Sequence, residues 1–309
     1  MYKQIVFKIL LLLFTLSIIS IANLTFWGFK GHRIINRMAI FTLPKEMVLF
    51  FKSNIEFITE NSTTPDSRRY SNKKEGAGHY IDIEYYENID SLEKYNWNKI
   101  SSIISQDSLY KHGILPWRII QYKYLLQKAF EKKSYRDIIK YASELGHYVA
   151  DAHVPLHTTK NYNGQLTNQH GIHSLWETKV VDYISNDINY FTNKAIYIKN
   201  INSFIWKIII ESHKDVNKVL VEEAKLSNNI NIKKYTFQSQ NEKKTYSDEF
   251  IKAYNHKLDN MVSKKIKSAI ENLGSIWYTA WIDAGQPILT VKEIKKTIAI
   301  RRQNNYECE

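Results

Sequence analysis

The sequence predicts an all-α protein built from a single, mainly helical domain over residues 27–292. Apolar residues recur at spacings of three and four through most of the chain, which is the period of an amphipathic helix. Alternation of apolar and polar residues, which is typical of half-buried strands, is scarce, and the best example, from His79 to Tyr85, is short. Only 10 Gly and 5 Pro occur in 309 residues, and no Pro- or Gly-rich linker divides the chain.

Local signals place the helices within this domain. Pro44 stands at the entry of the first helix, and Ser134 with Asp137 forms an expected capping box at the start of the third. The polar intervals 60–79 and 158–172, rich in Asn, Thr, Ser and Gly, are predicted loops, where functional groups tend to collect. The predicted helices cover residues 45–60, 116–131, 134–153, 194–226 and 246–283.

The amino-terminal residues 1–26 are predicted to be a signal peptide. Lys3 and Lys8 precede an apolar run over residues 9–22, which is shorter than the roughly 20 residues that a spanning helix needs. The alternative is an uncleaved anchor, and only then would the protein associate with a membrane. We therefore expect a secreted or periplasmic protein, and the small-residue rule places the cut after Ala22.

Composition excludes several classes of protein. With 44% hydrophobic residues the chain can bury a sizeable core, so wholesale disorder is excluded. The single cysteine, Cys308, excludes a disulfide scaffold. Lys and Arg outnumber Asp and Glu by 43 to 31, a net charge of +12 that favours a polyanionic partner. No obligate protein partner is evident, and residues 293–309 are expected to form a charged tail.

Metal-ligating residue types are concentrated within a short stretch of the chain. His147 and Asp151 are four residues apart, so on a helix both side chains can reach one cation, and His173 and Glu177 repeat this spacing. Pro155 should end the first of these helices and turn His157 toward a different point. Imidazole and carboxylate are the ligands that zinc accepts where no thiolate is available, and a cysteine-free set is typical of catalytic zinc.

Two earlier segments complete a recognisable order of residues. His32 follows Trp27 in Trp-Gly-Phe-Lys-Gly-His, Asp66 lies in a polar loop, and His79 begins Gly-His-Tyr-Ile-Asp upstream of the His-x3-Asp-x5-His and His-x3-acid motifs. From Trp27 to about Asp283 this order resembles the zinc-dependent single-strand nucleases of fungi and plants (S1/P1 type). These nucleases share their helical fold with the bacterial zinc phospholipases C.

The resemblance implies three zinc ions per chain. It assigns the first zinc to Asp66, His79, His147 and Asp151. It makes Asp151 a bridge to a second zinc, held also by His32 and by the backbone amine and carbonyl of Trp27. It assigns the third zinc to His157, His173 and Glu177.

The resemblance also implies roles for four residues around the reacting phosphate. Asp66 would orient the attacking hydroxide as well as bind zinc, and Arg69 would steady the charge on the phosphate. Tyr80 would stack on a base and Asp82 would hydrogen-bond it. Two zinc ions about 3.5–4 Å apart can lower the pKa of a shared water toward ~7 and supply hydroxide for in-line attack on phosphorus. Stacking on Tyr80 favours unpaired bases and therefore single strands.

Two functions are compatible with these motifs. The first is an exported endonuclease that hydrolyses single-stranded DNA and RNA to 5′-phosphorylated products, with 3′-nucleotidase activity as an extension. The second is a phospholipase C-like hydrolase of phospholipid head groups. Glu177 favours the second, because the nucleases usually have Asp at that position, whereas the five-residue step from Trp27 to His32 and the polar loops favour the nuclease. If the signal is cut after Ala22, the Trp27 nitrogen is a peptide nitrogen and no free amine.

Overall fold

The computed structural model of the chain describes residues 29–86, 94–238 and 243–289. The expected signal segment 1–26, the ligand Trp27, the tail 293–309 and Cys308 lie outside the described residues. Among the described residues no helix is long and apolar enough to cross a membrane.

Helices form almost all of the regular structure in these ranges, which confirms the all-α prediction. The α-helices are α1 (Phe29–Ala39), α2 (Lys45–Ser53), α3 (Ile55–Glu60), α4 (Thr64–Arg68), α5 (Lys73–Gly76), α6 (Trp97–Ile103), α7 (Gln106–His112), α8 (Leu115–Glu131), α9 (Tyr135–Ala152), α10 (Ile172–Ser174), α11 (Val181–Ile184), α12 (Ile201–Lys214), α13 (Val216–Ser227), α14 (Asp248–Lys257) and α15 (Met261–Asp283). Short 3₁₀ segments occupy Ile40–Thr42, Asn61–Thr63, Ala77–His79, Ile83–Tyr85 and Pro155–Thr158. A π-helical segment, Leu175–Val180, joins α10 to α11.

The core lies between the long helices. α8 packs along α9, and α15 packs against both of them and against α1. Trp277 of α15 is fully buried, tilts against Phe51 of α2 at a ring separation of 5.1 Å, and donates its indole N–H to the Ala142 carbonyl. Because α9 is buried over most of its length, any polar side chain that it carries in its second half must find a partner inside the protein.

A glycine permits the close approach of α1 to α9 beside the candidate site. A Cβ built on Gly146 would lie 1.7 Å from the side-chain oxygen of Asn36, which is fully buried on α1. Asn36 donates to the Ser143 carbonyl one turn earlier on α9. The glycine therefore allows the helix that carries His147 to pack directly against the helix that carries His32.

Several predicted helices are divided in the structure. The segment 45–60 breaks at Asn54, whose side chain donates to the Phe50 carbonyl and which ends α2. The segment 194–226 begins as a helix only at Ile201 and is interrupted at Asp215. The segment 246–283 breaks where Asp259 and Asn260 both adopt positive φ.

Other local signals also differ from the structure. The alternating stretch His79 to Tyr85 forms no strand but two 3₁₀ turns joined by extended residues, and its backbone amides pair with the carbonyls of His157 and His112. The interval 60–79 is largely short helical turns and only partly loop. Ser134 precedes α9 as predicted, but its hydroxyl donates to the Asp137 carboxylate at 2.7 Å and caps no backbone amide, so the capping box is absent.

One antiparallel hairpin was not predicted. Strands β1 (Tyr235–Gln238) and β2 (Lys243–Tyr246) pair with Tyr235 opposite Tyr246 and Phe237 opposite Lys244. Its sequence does alternate aromatic with polar residues, and that signal was too short to separate from the surrounding polar chain.

Candidate metal centre

Eight of the nine residues predicted to bind metal lie in the described part of the chain, and their side chains converge. Three groups of donor atoms form, each within 4.8 Å: a first group of Asp66, His79 and His147; a second of His32, His147 and Asp151; and a third of His157, His173 and Glu177. The grouping differs from the sequence assignment in one respect. His147, assigned only to the group of Asp66, also stacks on His32 at a ring separation of 4.1 Å.

The first group surrounds a point between α4, α9 and the turn Ala77–His79. His79 Nδ1 lies 3.7 Å from the Asp66 Oδ1 and 3.1 Å from the Asp151 Oδ2. His147 Nε2 lies 3.8 Å from the same Asp66 oxygen, 3.3 Å from Asp151 Oδ2 and 2.9 Å from His79 Nδ1. Ligands about 2.0–2.1 Å from a tetrahedral zinc are roughly 3.3 Å apart, so these separations match that geometry.

Asp151 connects the first group to His32. Its Oδ1 lies 3.6 Å from His32 Nε2, while its Oδ2 faces His79 and His147. The carboxylate is 1% exposed. Each oxygen therefore faces a different set of imidazoles, which is the arrangement that a bridging ligand requires. The other residue that the sequence assigns to the His32 site, Trp27, lies outside the described residues.

The third group lies beyond Pro155. As the sequence predicts, the α9 helix does not continue through this proline, and His157 lies in the 3₁₀ segment that follows. His173 Nε2 is 2.7 Å and His157 Nε2 is 3.5 Å from the Glu177 Oε2. Glu177 stands in the π-helical segment after α10, and such segments occur frequently at functional sites. Its Oε1 faces His32 Nε2 at 3.5 Å, so Glu177 lies between the third group and the His32 site.

Backbone carbonyls orient three of the histidines. The Nδ1–H groups of His147, His157 and His173 donate to the carbonyls of Ser62, His79 and Tyr162 respectively. This fixes the tautomer and leaves each Nε2 directed into a group, as is usual for metal-bound histidine. The buried His157 Nε2 finds no hydrogen-bond partner within the described residues. The donor set therefore fits zinc.

The carboxylates also hold positive charge on the imidazoles. Burial alone would lower the pKa of His147, but the Asp151 and Asp66 carboxylates raise it to about 9. Burial is likewise outweighed at His157, whose pKa Asp151 and Glu177 raise to about 10. Although burial opposes ionisation, the imidazoles hold the pKa of Asp151 well below its ordinary value. Within the cluster, the charges of the carboxylates and the imidazoles thus compensate one another.

The predicted substrate residues lie beside the first group. Arg69 is half exposed, and its guanidinium is 3.4 Å from the Asp66 Oδ1. Tyr80 follows His79, and its hydroxyl donates to the Lys111 carbonyl at 3.0 Å. The Asp82 carboxylate is 3.2 Å from His112 Nδ1, and burial raises its pKa. Arg69 therefore adjoins the first group directly, whereas Tyr80 and Asp82 each have a hydrogen-bond partner in the protein.

Sequence reasoning missed several residues that hold the segments around the metal centre in place. His112, which no motif in the sequence singles out, pairs with Asp82 and stacks on Tyr85 at a ring separation of 3.7 Å. Arg68 lies 2.9 Å from the Glu144 carboxylate and 3.2 Å from that of Glu75. No spacing in the sequence indicates these pairs, because each joins residues that are distant along the chain or lie in irregular turns. By contrast His153 is structural, since the Val149 carbonyl and the Asn272 side chain occupy its two nitrogens.

Comparison with known proteins identifies a family and a fold that are similar to this chain. A family model described as S1/P1 nuclease matches residues 27–276. No curated protein sequence is significantly similar to the chain. Two solved structures are similar at 13% identity. The alpha-toxin of Clostridium perfringens (avian strain SWCP) has a TM-score of 0.49, with 82% of this chain and 64% of that chain covered. The alpha toxin of Clostridium absonum has a TM-score of 0.44, with 80% and 63% covered. The chain thus spans less than two thirds of the length of either toxin.

Proposed function

The chain belongs to the S1/P1 nuclease family, a family of zinc-dependent phosphodiester hydrolases, and on this premise we propose that it cuts single-stranded DNA and RNA. The products carry 5′-phosphates, and 3′-nucleotides are additional substrates. The enzyme acts outside the cytoplasm after removal of its amino-terminal signal peptide. The observation that supports this proposal most strongly is the Asp151 carboxylate, buried between His32 on one side and His79 and His147 on the other.

Three zinc ions would bind at the three groups of donor atoms. Asp66, His79, His147 and Asp151 would hold the first; Asp151, His32 and Trp27 the second; His157, His173 and Glu177 the third. Zinc at these positions would supply Lewis acidity toward phosphate oxygens and lower the pKa of a bound water.

The chain's own residues would align the reaction. Asp66, with 22% of its side chain exposed, can bind metal through one oxygen and orient the attacking water in line with phosphorus through the other. Arg69 would donate to a non-bridging phosphate oxygen as charge develops there. Arg69 is half exposed beside Asp66, so it can reach a substrate without leaving a buried partner.

Tyr80 and Asp82 would select the base. The Tyr80 hydroxyl is tied to the Lys111 carbonyl, which fixes the ring plane. Gly113 makes this packing possible, because at φ +85 it approaches the Tyr80 carbonyl to a distance where a Cβ would lie 2.1 Å away. A fixed aromatic ring stacks on an unpaired base, whereas the bases of a duplex are already stacked on each other.

The test is to assay the zinc-loaded protein in parallel on single-stranded DNA, RNA, 3′-AMP and phosphatidylcholine, and to identify the product ends. We expect cleavage of the first three substrates and 5′-phosphate ends. Tyr80→Ala should lower kcat/KM on a dinucleotide about tenfold or more, while hydrolysis of bis-p-nitrophenyl phosphate, which lacks a base, changes much less. Equal losses on both substrates would show that Tyr80 only packs beside His79.

The second candidate is hydrolysis of phospholipid head groups. Tyr70 is 78% exposed and Leu166 is 62% exposed on the two segments that border the site, and exposed apolar side chains favour an interfacial enzyme. Robust turnover of phosphatidylcholine, with intact single-stranded DNA, would establish this activity in place of the nuclease.

A further inference from the structure

One face of the hairpin carries a continuous row of aromatic and cationic side chains, and we propose that it binds the single strand beyond the cleavage site. This inference rests on the proposed function. The register places Tyr235 opposite Tyr246 and Phe237 opposite Lys244. Because side chains two residues apart on a strand share a face, all four stand on the same side of the hairpin. We refer to these four residues as the hairpin strip.

The strip reaches the loop that precedes the third group of donor atoms. The Tyr246 hydroxyl lies 3.3 Å from the position of a Cβ built on Gly171, which is two residues before His173. Gly171 has φ +94 and donates its amide to the Asn163 side chain at 3.0 Å, so the backbone there is held. The inner end of the strip, where Tyr246 stacks on the buried Phe250, therefore adjoins the loop that precedes His173, and Phe237 and Lys244 lie at the outer end.

A buried network fixes the hairpin to the loop beside the site. Lys234, immediately before β1, lies 2.6 Å from the carboxylate of Glu223, which is 1% exposed on α13. The same glutamate accepts from Gln169 of the loop at 2.5 Å. Since Glu223 is fully paired, its charge does not oppose an anionic ligand on the strip.

The exposed part of the strip has the chemistry of a single-strand platform. Lys244 lies 3.9 Å over the Tyr235 ring, and Phe237 is 66% exposed. Aromatic rings stack on bases without regard to sequence, and neighbouring lysines neutralise phosphates. A duplex offers no free base faces, so the strip favours unpaired substrates. The net charge of +12 is compatible with the same partner.

The experiment compares a thymidine dinucleotide with a single-stranded 20-mer on the zinc-loaded enzyme. Phe237→Ala should raise KM for the 20-mer at least about fivefold with little change in kcat, and leave KM for the dinucleotide within twofold. Lys244→Gln should reduce the slope of log(kcat/KM) against log(salt) on the 20-mer by about 0.7. Phe191→Ala, at a ring that is 89% exposed outside the hairpin, and Lys52→Gln, an exposed lysine of α2, are the matched controls.

The outcomes separate the two proposals. If the wild type cleaves both substrates and the hairpin variants behave as their controls do, the strip does not bind substrate. If the wild type cleaves neither, the proposed function itself is wrong. Slower sedimentation of the Phe237→Ala variant relative to the wild type would show that the strip joins two copies of the chain. Loss of binding to phosphatidylcholine vesicles in that variant would assign the strip to a lipid surface.

Discussion

The side chain of Asp151 faces both sides of the metal centre. Its two oxygens lie 3.6 Å from His32 and 3.1 Å from His79, and it is almost completely excluded from solvent. A buried carboxylate is costly unless cations or hydrogen-bond donors surround it. The imidazoles meet that need in the absence of metal, and zinc ions would meet it more fully. The position therefore tolerates little change.

Asp151→Asn should remove zinc from two of the three sites, because the amide oxygen is a weak ligand and cannot bridge two cations. Glu177→Gln should remove zinc chiefly from the third. We expect Asp151→Asn to lose more zinc and more activity than Glu177→Gln, measured by elemental analysis and kcat after dialysis. Equal and mild losses in the two variants would show that Asp151 is not a bridge.

The buried His153 should make the stability of the fold depend on pH, independently of metal binding. Burial lowers its pKa to about 4, since its Nδ1–H donates to Val149 and its Nε2 accepts from Asn272. The unfolded chain, with a pKa of about 6.5, binds more protons between these two values. The stability that His153 contributes is therefore present above pH 6.5 and is lost as the pH falls toward 4.

Through His153, the free energy of unfolding should decrease by about 2 kcal/mol between pH 7 and pH 5. Urea unfolding of the metal-free protein at both pH values, for the wild type and for His153→Gln, measures it. The variant should be less stable at pH 7 and should lose less stability on acidification. A pH dependence that is the same in both proteins would contradict the buried, neutral state of His153.

At the scale of elements, the short turns between α3 and Tyr80 depend on a cluster of charges for their position. Arg68 lies 2.9 Å from Glu144 of α9 and 3.2 Å from Glu75, and it donates to the Tyr148 hydroxyl at 3.3 Å. Burial opposes ionisation of Glu75, but Tyr148 and Arg68 hold its pKa below the ordinary value. The cluster thereby attaches the segment that carries Asp66 and His79 to the helix that carries His147.

Arg68→Met should loosen that segment and weaken the first zinc site while leaving the third intact. Removal of the guanidinium leaves two buried carboxylates without their counter-charge, which costs several kcal/mol in the free energy of unfolding. We expect kcat to fall with little change in KM, and Arg68→Lys to restore part of it. Zinc titration should show one weakened site.

The matched control is Arg37→Met, which breaks an exposed ion pair with Glu56 at 2.9 Å and should cost less than about 1 kcal/mol. A uniform decrease in affinity at all zinc sites after Arg68→Met would indicate a general loss of stability. In that case Arg68 would not position the Asp66 segment in particular.

The sequence predicted correctly those ligand residues whose spacing matches the turn of a helix. His147 and Asp151 share one face of α9 because their four-residue spacing matches one helical turn, and Pro155 separates His157 from that face. The break at Asn54 and the contact of Arg68 with Glu144 could not be predicted in this way. The first involves a hydrogen bond from the Asn54 side chain to the Phe50 carbonyl that apolar spacing does not indicate, and the second joins residues that are distant along the chain.

At the scale of the whole molecule, the candidate ligands come from parts of the chain that are far apart. His32 lies on α1, Asp66 on α4, Asp151 on α9 and Glu177 beyond α10, so the metal centre joins segments separated by up to 145 positions (177 − 32). The three carboxylates among the ligands are close to one another and would repel without cations between them. Metal binding should therefore stabilise the fold as well as provide activity.

Removal of zinc should lower the melting temperature of the whole protein. A ligand that binds only the folded state at about 1,000 times its Kd adds about 4 kcal/mol of stability. For a chain of this size each kcal/mol changes Tm by roughly 2–4 °C, so loss of even one such ion should lower Tm by about 10 °C. We expect chelation to produce this decrease and abolish activity. Adding zinc should restore Tm and activity, with about three ions bound per chain.

In His173→Ala, chelation should still lower Tm, but by less than in the wild type, because the sites that share Asp151 persist. An unchanged Tm after complete chelation, or a well-folded protein that binds at most one zinc, would contradict a trinuclear centre that joins these segments.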